Sequence, residues 1–156
     1  MTQSHCENVR RAISKLILEH PFYAAMTLMT PVIPDDSVPT AGTDGDKIYY
    51  NPEFMNSLPK EAVMFVLAHE VEHIVRLHCL RVESRDRMKW NMAADHGINL
   101  DLMAAGLKGP VNDNGEFMGL ADQQYAGMAA EKVYNLMPEQ EQQDGGGEGE
   151  EGQSGE

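Results

Sequence analysis

The pentapeptide His69-Glu70-Val71-Glu72-His73 constrains this chain more than any other stretch. It reads H-E-x-x-H. The run Ala62-Val63-Met64-Phe65-Val66-Leu67-Ala68 just before it is apolar throughout, which predicts a buried helix carrying the motif. Each helical residue turns by about 100°, so His69 and His73 fall about 40° apart on one face. Two imidazoles so placed can grip one metal ion, with Glu70 beside them to hold and deprotonate a water. Two simpler explanations compete: a surface helix with scattered charges, or a hydrogen-bonded pair of core histidines. The apolar run argues against the first. Against the second stands the cost of burying two histidines and a carboxylate unless metal and water satisfy them.

A catalytic zinc takes three protein ligands and keeps one position open. The extended pattern H-E-x-x-H-x-x-G-x-x-H fails here, because Arg76 and Cys79 occupy its later positions. His78 lies nine residues after His69, about 180° round a continuous helix, and reads as a helix-end or structural histidine. A carboxylate from a second helix is the other solution. In Trp90-Asn91-Met92-Ala93-Ala94-Asp95-His96-Gly97-Ile98-Asn99-Leu100, the residues Asn91, Asp95 and Asn99 form a polar stripe on a largely apolar helix. Asp95 is the favoured third ligand and His96 its rival. Asn91 and Asn99 suit capping, or hydrogen bonds that orient the ligands.

Composition excludes several function classes. The formal charge is -13, but seven acidic and no basic residues lie from Pro138 onward, leaving 18 acidic and 12 basic residues before it. No basic patch of the kind that binds nucleic acid is evident. Arg81, Arg85, Arg87 and Lys89 are the densest basic group and read as a solvated helix end and loop. Cys6 and Cys79 are the only cysteines and form no C-x-x-C pair, which fits a reducing compartment. Leu16-Ile17-Leu18 is too short for a signal peptide, and no apolar run approaches the roughly 20 residues of a membrane span. The expectation is a soluble, cytoplasmic protein with no membrane and no nucleic-acid partner. Its folded domain would cover residues 1–137, and a disordered acidic Gly/Glu/Gln tail would cover 138–156.

Along the chain, residues 4–19 predict a first helix with Val9, Ile13, Leu16 and Ile17 on one face and a Ser4–Glu7 capping box. Pro21 ends it or begins a second helical piece through Met29. A short strand is expected near Val32-Ile33. Asp44-Gly45 reads as a tight turn before a strand over Lys47-Ile48-Tyr49-Tyr50, which Asn51-Pro52 stops. Such a strand can pack in the core or offer an edge to an extended peptide. Pro59-Lys60-Glu61 marks the start of the motif helix, predicted to run to about Leu80. Met103 to Leu120 reads as loop, with Asn112-Asp113-Asn114-Gly115 a turn rather than a calcium site. Ala126 to Met137 reads as a closing helix, in which Tyr134 and Met137 pack.

Several stretches together resemble the metallopeptidase domain found upstream of von Willebrand A-like modules in bacterial and phage proteins. They are Thr43-Asp44-Gly45, Ile48-Tyr49-Tyr50-Asn51-Pro52, the H-E-x-x-H helix, Trp90-Asn91 with Ala94-Asp95 and Ile98-Asn99, then Gly119-Leu120 and Glu131-Lys132-Val133-Tyr134. The resemblance covers about residues 8–137. It implies an α+β, zincin-like fold, mostly helical, with a small β-sheet or hairpin before the motif helix. It also implies peptidase activity, with His69, His73 and Asp95 as ligands and Glu70 as base. The expected protein is thus a Zn²⁺ metallopeptidase acting on a peptide or protein substrate. His96, Tyr49 and Tyr50 are candidates for stabilising the oxyanion. The alternatives are a non-catalytic zincin-like binding or regulatory module, or another zinc amide hydrolase such as a deformylase, whose cysteine-ligand context Cys6 lacks.

Overall fold

The computed structural model describes residues 4–139. Its elements run α1 (Glu7–Glu19), α2 (Pro21–Met29), β1 (Val32–Pro34), β2 (Ala41–Thr43), β3 (Ile48–Tyr50), α3 (Pro52–Asn56), α4 (Lys60–Val75), α5 (His78–Arg81), α6 (Arg87–Ala104) and α7 (Ala130–Leu136). A 3₁₀ turn at Gln123–Tyr125 precedes α7. The architecture is α+β and mostly helical, as expected. The tail from residue 140 onward lies outside the described residues. No described helix is long and apolar enough to cross a membrane.

Helix α4 is apolar on nearly every side, and ten of its residues are buried, which is the signature of a helix enclosed by others. It packs against α1, α2, α6 and β2. The main core joins Val9, Ala12 and Leu16 of α1 to Val63, Leu67 and Ala68 of α4 and to Ile98 and Leu102 of α6. Burying one such side chain contributes about 1.5–3 kcal/mol, so this layer fixes where the motif sits. A second cluster closes the other side of α6, where Ala93 and Leu100 meet Tyr125, Val133 and Met137. The closing helix therefore packs, although it begins at Ala130 rather than Ala126.

The sheet has the order β1-β3-β2, with β1 parallel and β2 antiparallel to β3. The strands expected near Val32-Ile33 and over residues 47–50 are both present, as Val32–Pro34 and Ile48–Tyr50. Strand β2 lies in an irregular Pro- and Gly-containing segment and adds the third. Asp44 makes the β2–β3 turn by accepting from the backbone N–H groups of Asp46 and Lys47, while Gly45 takes φ +102°. Asn51 both stops β3 and caps α3, accepting from the Phe54 N–H at 3.1 Å.

Three local expectations are corrected. The Ser4–Glu7 capping box does not form. Helix α1 starts at Glu7 with Cys6 as its cap residue, so Ser4 lies outside the cap position and the Glu7 carboxylate accepts from Arg11 instead. The motif helix stops at Val75 rather than near Leu80, because Leu77 adopts the left-handed conformation with φ 58° and turns the chain into α5. The basic group is only partly solvated, with Arg87 exposed and the others drawn into contacts. Lys89 is buried with its ammonium 4.4 Å from the Tyr134 ring centre, Arg85 lies over Trp90, and Arg81 pairs with Glu131.

A leucine in the left-handed region costs roughly 1–2 kcal/mol relative to its usual conformations, a cost that glycine does not carry. Leu77 is about half exposed. Leu77→Gly is therefore expected to raise stability by about 0.5–1 kcal/mol in chemical denaturation. A loss instead would mean that the leucine side chain contributes packing that outweighs the strain.

Candidate metal centre

Helices α4 and α6 cross so that three side chains converge. His69 Nε2 lies 3.1 Å from His73 Nε2, and Asp95 Oδ1 lies 3.0 Å and 3.1 Å from the two nitrogens. Among the described residues, His69, His73 and Asp95 form a group able to hold one metal ion. The one-turn spacing on α4 pairs the histidines, and Ile98 and Leu102 pack α6 against α4, whereas Ala93 and Ala94 face the closing helix instead. The His73 side chain is fully enclosed, whereas those of His69 and Asp95 keep 15% and 21% of their exposure. The group is therefore open to solvent on one side.

The donor set fits a divalent ion. Tetrahedral coordination at about 2.0–2.1 Å places neighbouring donor atoms roughly 3.3–3.4 Å apart, close to the spacing seen here. Glu70 is 3% exposed, and its Oε2 is a buried oxygen with no hydrogen-bond partner. A buried bare carboxylate oxygen beside such a triad is costly by itself and suits a site that receives a polar ligand.

Hydrogen bonds set the tautomer of His69. Its Nδ1 lies 2.7 Å from Asn99 Oδ1 and donates to it, so Nε2 is the nitrogen that faces Asp95 and His73. The Asn99 amide in turn donates to the Leu120 carbonyl at 2.9 Å, tying the loop after α6 to the metal centre. That loop comes so close that a Cβ on Gly119 would sit 2.8 Å from the Phe117 ring and 3.2 Å from Asn99 Nδ2. Asn99 thus has the ligand-orienting position anticipated for it, one helical turn from Asp95.

The electrostatics follow from burial and proximity. Burial pushes the Glu70 carboxyl up to about 8, helped by the Asp95 charge and opposed by that of His69. Burial lowers His69, but the adjacent Asp95 carboxylate outweighs it and holds the imidazole well above its ordinary range. Burial raises Asp95, yet the two histidines outweigh it and keep the carboxylate ionised far below its usual range. Burial also lowers His73 and takes His78 down to about 3, so His78 stays neutral.

Other candidates lie elsewhere. His96 points away from the triad, accepting from the Asp122 N–H through Nδ1 and packing edge-on against Tyr125. The Tyr50 hydroxyl is engaged by Cys6 N–H and His5, and the Tyr49 hydroxyl donates to Asp44 at 3.0 Å. Sequence reasoning set His78 apart because it assumed an unbroken helix. With the break at Leu77, His78 Nδ1 comes 3.0 Å from His73 Nδ1. No glycine or proline at 74–78 announces that break.

The fold and this site define an α+β, mostly helical domain with a His-His-Asp group able to hold a metal ion. The chain belongs to the family described as "Putative metallopeptidase domain", whose model matches residues 4–156. The resemblance read from the sequence is thereby shown. No curated protein and no solved structure matches the chain significantly.

Proposed function

We propose that this chain is a zinc-dependent metallopeptidase of zincin type, acting on a peptide or protein substrate. The observation that carries the proposal is the convergence of His69 Nε2, His73 Nε2 and Asp95 Oδ1 within 3.0–3.1 Å beside the buried Glu70, whose Oε2 has no hydrogen-bond partner. Two imidazoles and one carboxylate, open on one side, are the donor set of a catalytic rather than a structural zinc, which is closed by four ligands. Zinc, when bound, supplies Lewis acidity that makes water a nucleophile near neutral pH and polarises a carbonyl.

The chain's own residues do the rest. His69, His73 and Asp95 hold the ion, with Asn99 fixing the ring of His69. Glu70 accepts a proton from the attacking water as its oxygen bonds to the scissile carbonyl carbon. It then delivers that proton to the departing amine as the C–N bond breaks, so one water is consumed and no other reactant is needed. Its raised proton affinity suits a group that must both take and return a proton near neutrality.

The test is metal-dependent hydrolysis. Protein purified without added metal should carry about one zinc per chain and cleave unfolded protein or peptide libraries. Activity should vanish on chelation and return with zinc. Bound zinc without cleavage of any peptide would favour a binding module, and failure to bind metal after reconstitution would remove the enzymatic reading.

A further inference from the structure

We infer that His78 is a positioning residue for the metal centre: its Nδ1 accepts the Nδ1–H of His73 and thereby presents the His73 Nε2 lone pair to the ion. The inference rests on the metal reading of the His69, His73 and Asp95 group. His73 Nε2 is the nitrogen that converges on His69 and Asp95. For that nitrogen to ligate, the His73 ring proton must sit on Nδ1, where the buried His78 Nδ1 lies 3.0 Å away. Two acceptors therefore stand behind the two histidine ligands, Asn99 Oδ1 for His69 and His78 Nδ1 for His73.

His78 is held for this task from several sides. It is 4% exposed, and its ring meets His73 at 72° and Trp90 at 87°, with centroids 5.1 Å and 5.9 Å away. The indole N–H of Trp90 donates to the His78 carbonyl at 2.9 Å, fixing the backbone that carries the ring. The left-handed turn at Leu77 is what returns His78 to the motif face, so the broken helix has a purpose at the site. A carboxylate or carbonyl is the usual partner behind a ligating histidine.

The experiment compares wild type, His78→Phe and His78→Gln. Phenylalanine keeps a ring but removes the acceptor, whereas glutamine keeps an acceptor oxygen. Zinc affinity is read by competition with a chromophoric chelator, and ligand geometry by the visible absorption of the cobalt(II)-substituted protein. His78→Phe should bind zinc about 10–100-fold more weakly with an altered cobalt spectrum, and His78→Gln should restore both most of the way. Equal affinity and an unchanged spectrum in His78→Phe would overturn the inference and leave the metal reading standing. No metal uptake by wild type would overturn both. Imidazole ¹⁵N shifts of zinc-loaded wild type give a check that needs no variant. The His73 proton should sit on Nδ1 and the His78 proton on Nε2, and the reverse assignment would overturn the inference.

Discussion

Replacing Glu70 by glutamine is expected to abolish hydrolysis, leave zinc bound, and make the metal-free protein more stable. The kinetic part follows from the base role, since removing a general base costs about 10²–10⁴-fold in rate. Glutamine keeps the shape and cannot take a proton, and Glu70 is not among the ligating group, so metal content should stay near one per chain. The stability part follows from burial. The folded protein holds the Glu70 proton up to about pH 8, well above its ordinary value of 4.5. A carboxyl raised in this way destabilises the folded state increasingly as pH climbs from the lower value to the higher, because ionisation is easier in the unfolded chain. Glutamine carries no charge at any pH and escapes that cost. It still leaves a buried polar atom without a partner, so the gain comes from the charge alone, about 1–3 kcal/mol at pH 8 and little at pH 4. Chelator-treated wild type and Glu70→Gln melted side by side at both pH values would show it. Retained hydrolysis would move the base to another residue, and a variant less stable at pH 8 would mean that Glu70 is better solvated than its burial implies.

What the sequence revealed tracks the range of the interactions involved. The pairing of His69 with His73 needs only the pitch of a helix, and the apolar run before them guarantees that the helix is buried. Asp95 needed one step more, a polar stripe with small neighbours on a second helix, and the structure places it against both histidines. Asn99, one turn further along the same stripe, followed with it. His78 was misplaced because a left-handed leucine ends α4, and a residue so poorly suited to that conformation gives no warning in the sequence. The basic group around Arg81 and Lys89 was read as solvated because charge patterning is local, whereas its aromatic partner Tyr134 lies some fifty residues on. The Ser4–Glu7 box has the correct spacing, but the helix starts two residues later and the Glu7 carboxylate pairs with Arg11.

Asp95→Asn should separate metal binding from folding in a way that also tests the third ligand. The substitution keeps volume, so no cavity opens, but removes the charge that lies 3.0–3.1 Å from both imidazoles. Losing a residue that only orients a ligand costs about 10–100-fold in metal affinity, so losing a ligand's charge should cost at least about 100-fold. The metal-free protein should respond as well. Asp95 holds His69 above its ordinary value of 6.5, so that pairing stabilises the fold fully below about pH 6.5 and fades as pH rises through the higher folded value. The Asp95 side of the pair helps above its ordinary value of 3.8 and fades only as pH falls through its depressed one. Both contributions are therefore present between about pH 4 and 6.5, where Asp95→Asn should be destabilised by about 2–3 kcal/mol, less than a fully buried pair would lose because both side chains keep some exposure. The difference should shrink toward pH 9. Metal uptake by wild type near neutrality must displace the His69 proton, so zinc affinity should fall as pH drops, and this proton release should be largely missing in the variant, where burial alone keeps His69 neutral. Titration calorimetry in two buffers of different ionisation enthalpy counts those protons. Unchanged zinc affinity and unchanged proton release in Asp95→Asn would exclude Asp95 as a ligand and return the third position to another side chain. Weakened zinc with the same proton release would keep Asp95 in the site but assign the high proton affinity of His69 to another neighbour.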